Sequence, residues 1–146
     1  MTLTTTEWGT KLLFAMPERP KILIIDDAPE ICRFYRVVLT QSGFDVSVAE
    51  DGSKGIRKAM SERPRLILLD LRLPDTNGLK VLTSLRSEDA TRNIPIIVFT
   101  GSATKQKVDE AIKLGADAFI LKGMMPVKQM VEKIRALVLP SAAPHP

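Results

Sequence analysis

The chain has 146 residues and a mass of 16.1 kDa, enough to bury a core as one domain without disulfides or structural metals. Hydrophobic residues make up 45% and charged residues 26%, the balance of a soluble globular protein. Net charge is +4, but the 21 Lys and Arg are scattered and never interleaved with aromatics, so the excess reads as a mildly basic solvated surface.

The single cysteine, Cys32, excludes an internal disulfide and any multi-cysteine metal site. The single histidine, His145, lies in a Pro-rich tail, which leaves no His general base, no Ser–His or Cys–His pair and no internal phosphohistidine relay. No apolar run approaches a membrane span. With one thiol and no signal peptide, the expected setting is the reducing cytoplasm. Carboxylates are left to carry any chemistry.

Residues 1–20 open with a Thr-rich polar segment, then Trp8 and a short apolar patch of Leu12, Leu13, Phe14 and Met16. They read as a flexible or weakly packed extension, with a dimer-forming or partner-binding arm as the alternative. Met16, directly before PERPKILIIDD, could itself be the start. From Lys21, apolar runs alternate with helix-period stretches. Predicted strands are 21–26, 44–49, 65–70, 94–100 and 117–121, dense in Ile, Leu and Val as in strands covered on both faces.

The first predicted helix, 28–42, carries Pro29 in its first turn, a stripe of Ile31, Phe34, Tyr35, Val38 and Leu39, and Gly43 as its stop. The second, 53–62, turns Ile56, Ala59 and Met60 inward before Pro64. The third starts near Asn77–Gly78 and uses Leu79, Leu82 and Leu85. The fourth, 104–114, uses Val108, Ala111 and Ile112. The fifth follows Pro126 with Val127, Met130, Val131, Ile134, Leu137 and Val138, and 140–146 read as a linker or disordered tail. Such alternation implies βαβ units, right-handed crossovers and a parallel sheet with helices on both sides.

In such a sheet the carboxyl ends of the strands open on one edge, where ligands bind. Asp26 and Asp27 end the first strand, Asp70 the third, Thr100 the fourth and Lys122 follows the fifth. Three carboxylates at one spot repel unless a cation joins them, and Mg²⁺ suits an all-oxygen site. Asp27 could also serve as N-cap to the helix containing Pro29. A carboxylate beside a metal can attack phosphorus to give an acyl phosphate, which makes Asp70 the candidate nucleophile. Lys122 supplies a mobile point charge and Thr100 a hydrogen-bond donor for the phosphoryl oxygens.

Residues Lys21 to about Leu139, roughly four-fifths of the chain, resemble a receiver domain of two-component response regulators. The resemblance rests on Asp26–Asp27, on Asp70 with Pro74 and Gly78 in LRLPDTNG, on FTGSA, and on GADAFILK ending at Lys122. It implies a flavodoxin-like (βα)5 fold with strand order 2-1-3-4-5. It further implies Asp70 as phospho-acceptor and a Mg²⁺ site of Asp26, Asp27, Asp70 and the Arg72 carbonyl. Thr100 and Phe119 become the switch pair. The implied partners are a sensor histidine kinase or phosphotransfer protein and an unknown downstream protein, without membrane or direct nucleic-acid contact, and with homodimerisation left open.

The chain departs from the family pattern in having Gly123, not proline, after Lys122, so a trans peptide is expected there. Arg72, two residues past the acceptor, puts a long cation beside the site as a candidate modulator. By this reading the protein is no enzyme on a separate metabolite, catalysing only its own phosphorylation and dephosphorylation. The alternatives are a receiver-like scaffold that works without phosphorylation and a haloacid-dehalogenase-like phosphatase. The latter needs an acid two residues past its nucleophile, where Arg72 or Ala28 stands here.

Overall fold

In this computed structural model the described residues are 4, 7–9, 11 and 19–139. From Lys21 onward, within the described residues, five strands and five helices alternate: β1 Lys21–Ile25, α1 Pro29–Gln41, β2 Asp45–Ala49, α2 Gly52–Glu62, β3 Leu66–Leu69, α3 Gly78–Ser87, β4 Ile96–Thr100, α4 Lys105–Lys113, β5 Ala118–Leu121 and α5 Val127–Val138. The strands of the sheet pair in parallel throughout, in the order β2-β1-β3-β4-β5. The flavodoxin-like fold expected from the sequence is therefore the one found.

The uninterrupted apolar strands have a simple cause. Alternate residues of each strand point to opposite faces, and both faces are covered. Ile22, Ile24, Leu66, Leu68, Ile97 and Phe99 pack against α1 and α5 through Tyr35, Leu39, Met130 and Ile134. Leu23, Ile25, Ile67, Leu69, Ile96 and Val98 face α2, α3 and α4 through Ala59, Leu79, Leu82 and Ala111.

Three expected core positions turn outward instead. Phe34, Met60 and Ile112 are exposed. Each lies at the margin of its helix's apolar stripe, and the width of a buried stripe depends on what packs above it. Asp27 does not cap α1, whose N-cap is Ala28 without a side-chain bond; instead Asp26 Oδ1 accepts the Ala28 N–H at 2.9 Å.

Of the N-terminal extension, Glu7, Trp8 and Gly9 are helical, and a Cβ on the buried Gly9 would lie 3.3 Å from Arg135 Cδ. The expected patch of Leu12, Leu13, Phe14 and Met16, and the tail 140–146, lie outside the described residues.

Candidate functional site

The sheet itself delivers the site residues. Beyond the ends of β1 and β3, Asp26 N–H bonds to Ala49 O at 3.0 Å and Asp70 N–H to Ile25 O at 2.9 Å. At the other side Lys122 N–H bonds to Thr100 O at 2.8 Å. The ladder thus continues one step into the site, which places these residues at the topological switch point between β1 and β3.

Two buried carboxylates share one ammonium. Lys122 Nζ lies 2.7 Å from Asp26 Oδ2 and 3.1 Å from Asp70 Oδ2. The other oxygen of each is tied to the backbone, Asp26 Oδ1 by Ala28 N–H and Asp70 Oδ1 by Arg72 N–H at 3.2 Å. Asp27 is exposed and, among the described residues, has neither hydrogen bond nor ion pair. Carboxylate oxygens of Asp26, Asp27 and Asp70 lie within 4.8 Å of one another. A cluster of this kind can hold a hard cation, and its all-oxygen donor set fits Mg²⁺.

Burial pushes the Asp26 carboxyl above its usual range, and the nearby Asp70 charge adds to this against the opposing pull of Lys122 and the Ala28 N–H. Burial also disfavours the Lys122 ammonium, but its bond to Asp26 and the charges of Asp26 and Asp70 outweigh that and raise its pKa. The two shifts do not mirror each other because Asp26 is 2% exposed and the Lys122 side chain 15%. Enclosure therefore dominates for the acid and pairing for the amine. The raised pKa keeps the lysine charged between the two acids.

Asp70 and Lys122 open onto a cleft of about 520 Å³, lined also by Asp27, Arg72, Leu73, Pro74, Gly101 and Ser102. A larger cleft, about 650 Å³, lies at the opposite end of the strands near Arg36, Arg63 and Arg65 and contains none of these groups. Thr100 is fully buried and, among the described residues, its hydroxyl has no partner. Phe119 pairs in register with Val98, two residues before Thr100, so both side chains project from the same face of the sheet. Phe119 is half-buried against the core of α2, α3 and α4. Arg72 extends its side chain, exposed, at the cleft wall.

Two local features shape the loop. A Cβ at Gly78 would collide with the Asp70 carbonyl and Leu71 Cα, so only glycine lets α3 begin directly beneath Asp70. The peptide before Gly123 is trans, as expected, and Gly123 adopts φ 80°, which glycine tolerates without strain. Sequence reasoning gave Asp75 no role, although its carboxylate accepts N–H groups from Gly52 and Ser53. Its position after Pro74 marks a turn but names no distant partner.

A doubly wound parallel sheet with paired acids and a lysine gathered beyond its strand ends is the arrangement that the sequence resemblance implied. The chain belongs to the response regulator receiver domain family, whose model matches residues 22–135. It is 37% identical over 131 residues to the DNA-binding dual master transcriptional regulator RpaA of Synechocystis, covering 86% of this chain and 54% of that protein. It is 36% identical over 118 residues to the DNA-binding response regulator MtrA of Mycolicibacterium smegmatis, covering 81% of this chain and 50% of that one. A CheY-like receiver domain from Methanospirillum hungatei superposes with TM-score 0.76 at 28% identity, covering 82% of this chain and 93% of its own.

The chain therefore spans about half the length of these curated relatives. The expectation of no direct nucleic-acid contact is corrected by them, because both are DNA-binding regulators. Scattered lysines and arginines on a receiver carry no information about a DNA-binding part elsewhere in a longer protein. Response regulators are signalling proteins, and family membership leaves the phosphatase alternative without support. Among the described residues no helix is long and apolar enough to cross a membrane.

Proposed function

We propose that the protein is a phosphorylatable switch in which Asp70 takes a phosphoryl group from the phosphohistidine of a sensor kinase or phosphotransfer protein. The observation that carries this reading is the Lys122 ammonium bridging buried Asp26 and Asp70 beside the exposed Asp27. An Asp70 oxygen forms the new O–P bond while the donor's N–P bond breaks, its electron pair returning to the imidazole. Asp26, Asp27, Asp70 and the Arg72 carbonyl would hold Mg²⁺, which when bound offsets the charge of the incoming phosphoryl group.

Lys122 moves from carboxylate to phosphoryl oxygen, and the unsatisfied Thr100 hydroxyl donates to another. Filling that bond draws Thr100 toward Asp70 and frees space on the Phe119 side, which repacks the surface around β5. Arg72, at the cleft wall, tunes the lifetime of the acyl phosphate. Residues 21–139 form the receiver, in a cytoplasmic protein. The relatives favour control of DNA binding as the output of the intact molecule.

Intact-mass analysis with a small phosphodonor and Mg²⁺ tests this. One added phosphoryl group, absent in Asp70→Asn and without magnesium, is the expected result. A folded protein that gains none would favour the scaffold alternative.

A further inference from the structure

We infer that Asp75 is a positioning residue for phosphorylation: it pins the loop that follows Asp70 to the start of α2 and so holds Arg72 against the acceptor. This rests on the assignment of Asp70 above.

The loop Leu71–Asn77 is closed at its base. Gly78 N–H bonds to Leu71 O at 2.9 Å, Arg72 bridges Asn77, and Asn77 Oδ1 caps α3 through Leu79 N–H at 2.9 Å. Its apex needs a separate anchor. Among the described residues, the side-chain hydrogen bonds from 73–76 to another element are those of Asp75, whose Oδ1 accepts from Gly52 N–H at 2.8 Å and Oδ2 from Ser53 N–H at 3.0 Å.

Those two amides are among the first-turn donors that a helix cannot satisfy internally, and a carboxylate there also meets the positive end of the helix dipole. Asp51, the N-cap of α2, already takes Lys54 N–H, so the two aspartates divide the exposed amides between them. The contact is shaped as well as charged. A Cβ on Gly52 would sit 2.5 Å from Thr76 Cγ2 and 2.8 Å from Val81 Cγ2. Glycine therefore lets α2 press directly on the loop and on α3. Because Arg72 N–H also bonds to Asp70, a loop pinned at Asp75 fixes both the acceptor's orientation and the carbonyl two residues beyond it.

The test compares the wild-type full chain with Asp75→Ala, Asp75→Asn and Gly52→Ala. In the unphosphorylated protein, amide exchange of segments 52–55 and 71–77 should accelerate about tenfold in Asp75→Ala, with partial recovery in Asp75→Asn, which keeps one acceptor oxygen. Calorimetric Mg²⁺ affinity should fall about tenfold in Asp75→Ala and Gly52→Ala, the usual scale for loss of an outer support to a metal site. Unchanged exchange overturns the inference. So does faster exchange with wild-type Mg²⁺ affinity, which would make the tie merely structural. If wild type neither binds Mg²⁺ nor accepts a phosphoryl group, the proposed function fails, while the exchange comparison still decides whether Asp75 pins the loop.

Discussion

Lys122 Nζ stands closer to Asp26 than to Asp70, 2.7 against 3.1 Å, so the amine is held chiefly by Asp26. Replacing it with Met leaves two buried carboxylates facing each other without a cation. Lys122→Met should cost about 2 kcal/mol in urea unfolding without Mg²⁺, below the range for a fully buried pair because the amine is partly exposed. Saturating Mg²⁺ should restore most of that loss, yet phosphorylation of Asp70 should stay slowed at least tenfold, roughly one charge-assisted hydrogen bond in the transition state. Stability that ignores Mg²⁺ would show that the lysine does not stand in for a cation.

Thr100 makes the opposite case. Among the described residues its buried hydroxyl has no partner, so removing it relieves a desolvation cost. Thr100→Val should raise stability by up to about 1 kcal/mol while abolishing the phosphorylation-dependent change in amide exchange at Phe119. A variant that is less stable, or that still responds, contradicts the switch assignment.

Much of this was legible in the chain because each site residue ends an apolar run, and a parallel sheet gathers such ends without further information. Asp26, Asp70, Thr100 and Lys122 needed only chain order to be placed together. What the sequence withheld depends on distant partners. Met60 and Phe34 sit on apolar stripes that no neighbouring element fully covers. Sequence reasoning gave Asp75 and Arg86 no role, since nothing local says which amide or carbonyl each will meet.

Arg86 is the larger omission. From α3 it donates to Gly115 O through Nε at 3.0 Å and Nη2 at 2.8 Å, to Ile94 O through Nη1 at 2.7 Å, and to Asp117 Oδ2 at 3.0 Å. Asp117 in turn accepts Ile96 N–H at 2.8 Å, so one guanidinium locks α3 to the entries of β4 and β5. Arg86→Ala should cost about 3 kcal/mol, a typical sum for charged hydrogen bonds to otherwise unpaired carbonyls. At temperatures where the variant is folded, Asp70 phosphorylation should match wild type. A selective loss of phosphorylation would place Arg86 in the switch instead.

Arg72 offers a kinetic test. Its exposed side chain lines the cleft that Asp70 opens onto, where a guanidinium can pair with a phosphoryl group and obstruct attacking water. Arg72→Ala should speed acyl-phosphate loss about threefold, a little under 1 kcal/mol, while leaving the unphosphorylated protein as stable as before. Identical lifetimes would remove Arg72 from the site's chemistry and leave only its backbone.

Cys32 reports on the same pocket from behind. Its Sγ donates to the Asp26 carbonyl at 3.4 Å, and burial, then the Asp26 charge, pushes the thiol from 9.0 up to about 11. At pH 8 about one thiol in a thousand is ionised, so alkylation by iodoacetamide should be some hundredfold slower than for a free cysteine. A folded-state pKa above the unfolded one contributes stability that is complete below pH 9.0 and is lost as pH rises through about 11, because only the unfolded chain ionises in between. Cys32→Ala should therefore flatten the loss of stability across that window, measured by urea unfolding at each pH. Rapid alkylation at pH 8, or an unaltered pH profile, would mean the thiol is freer of Asp26 than the geometry requires.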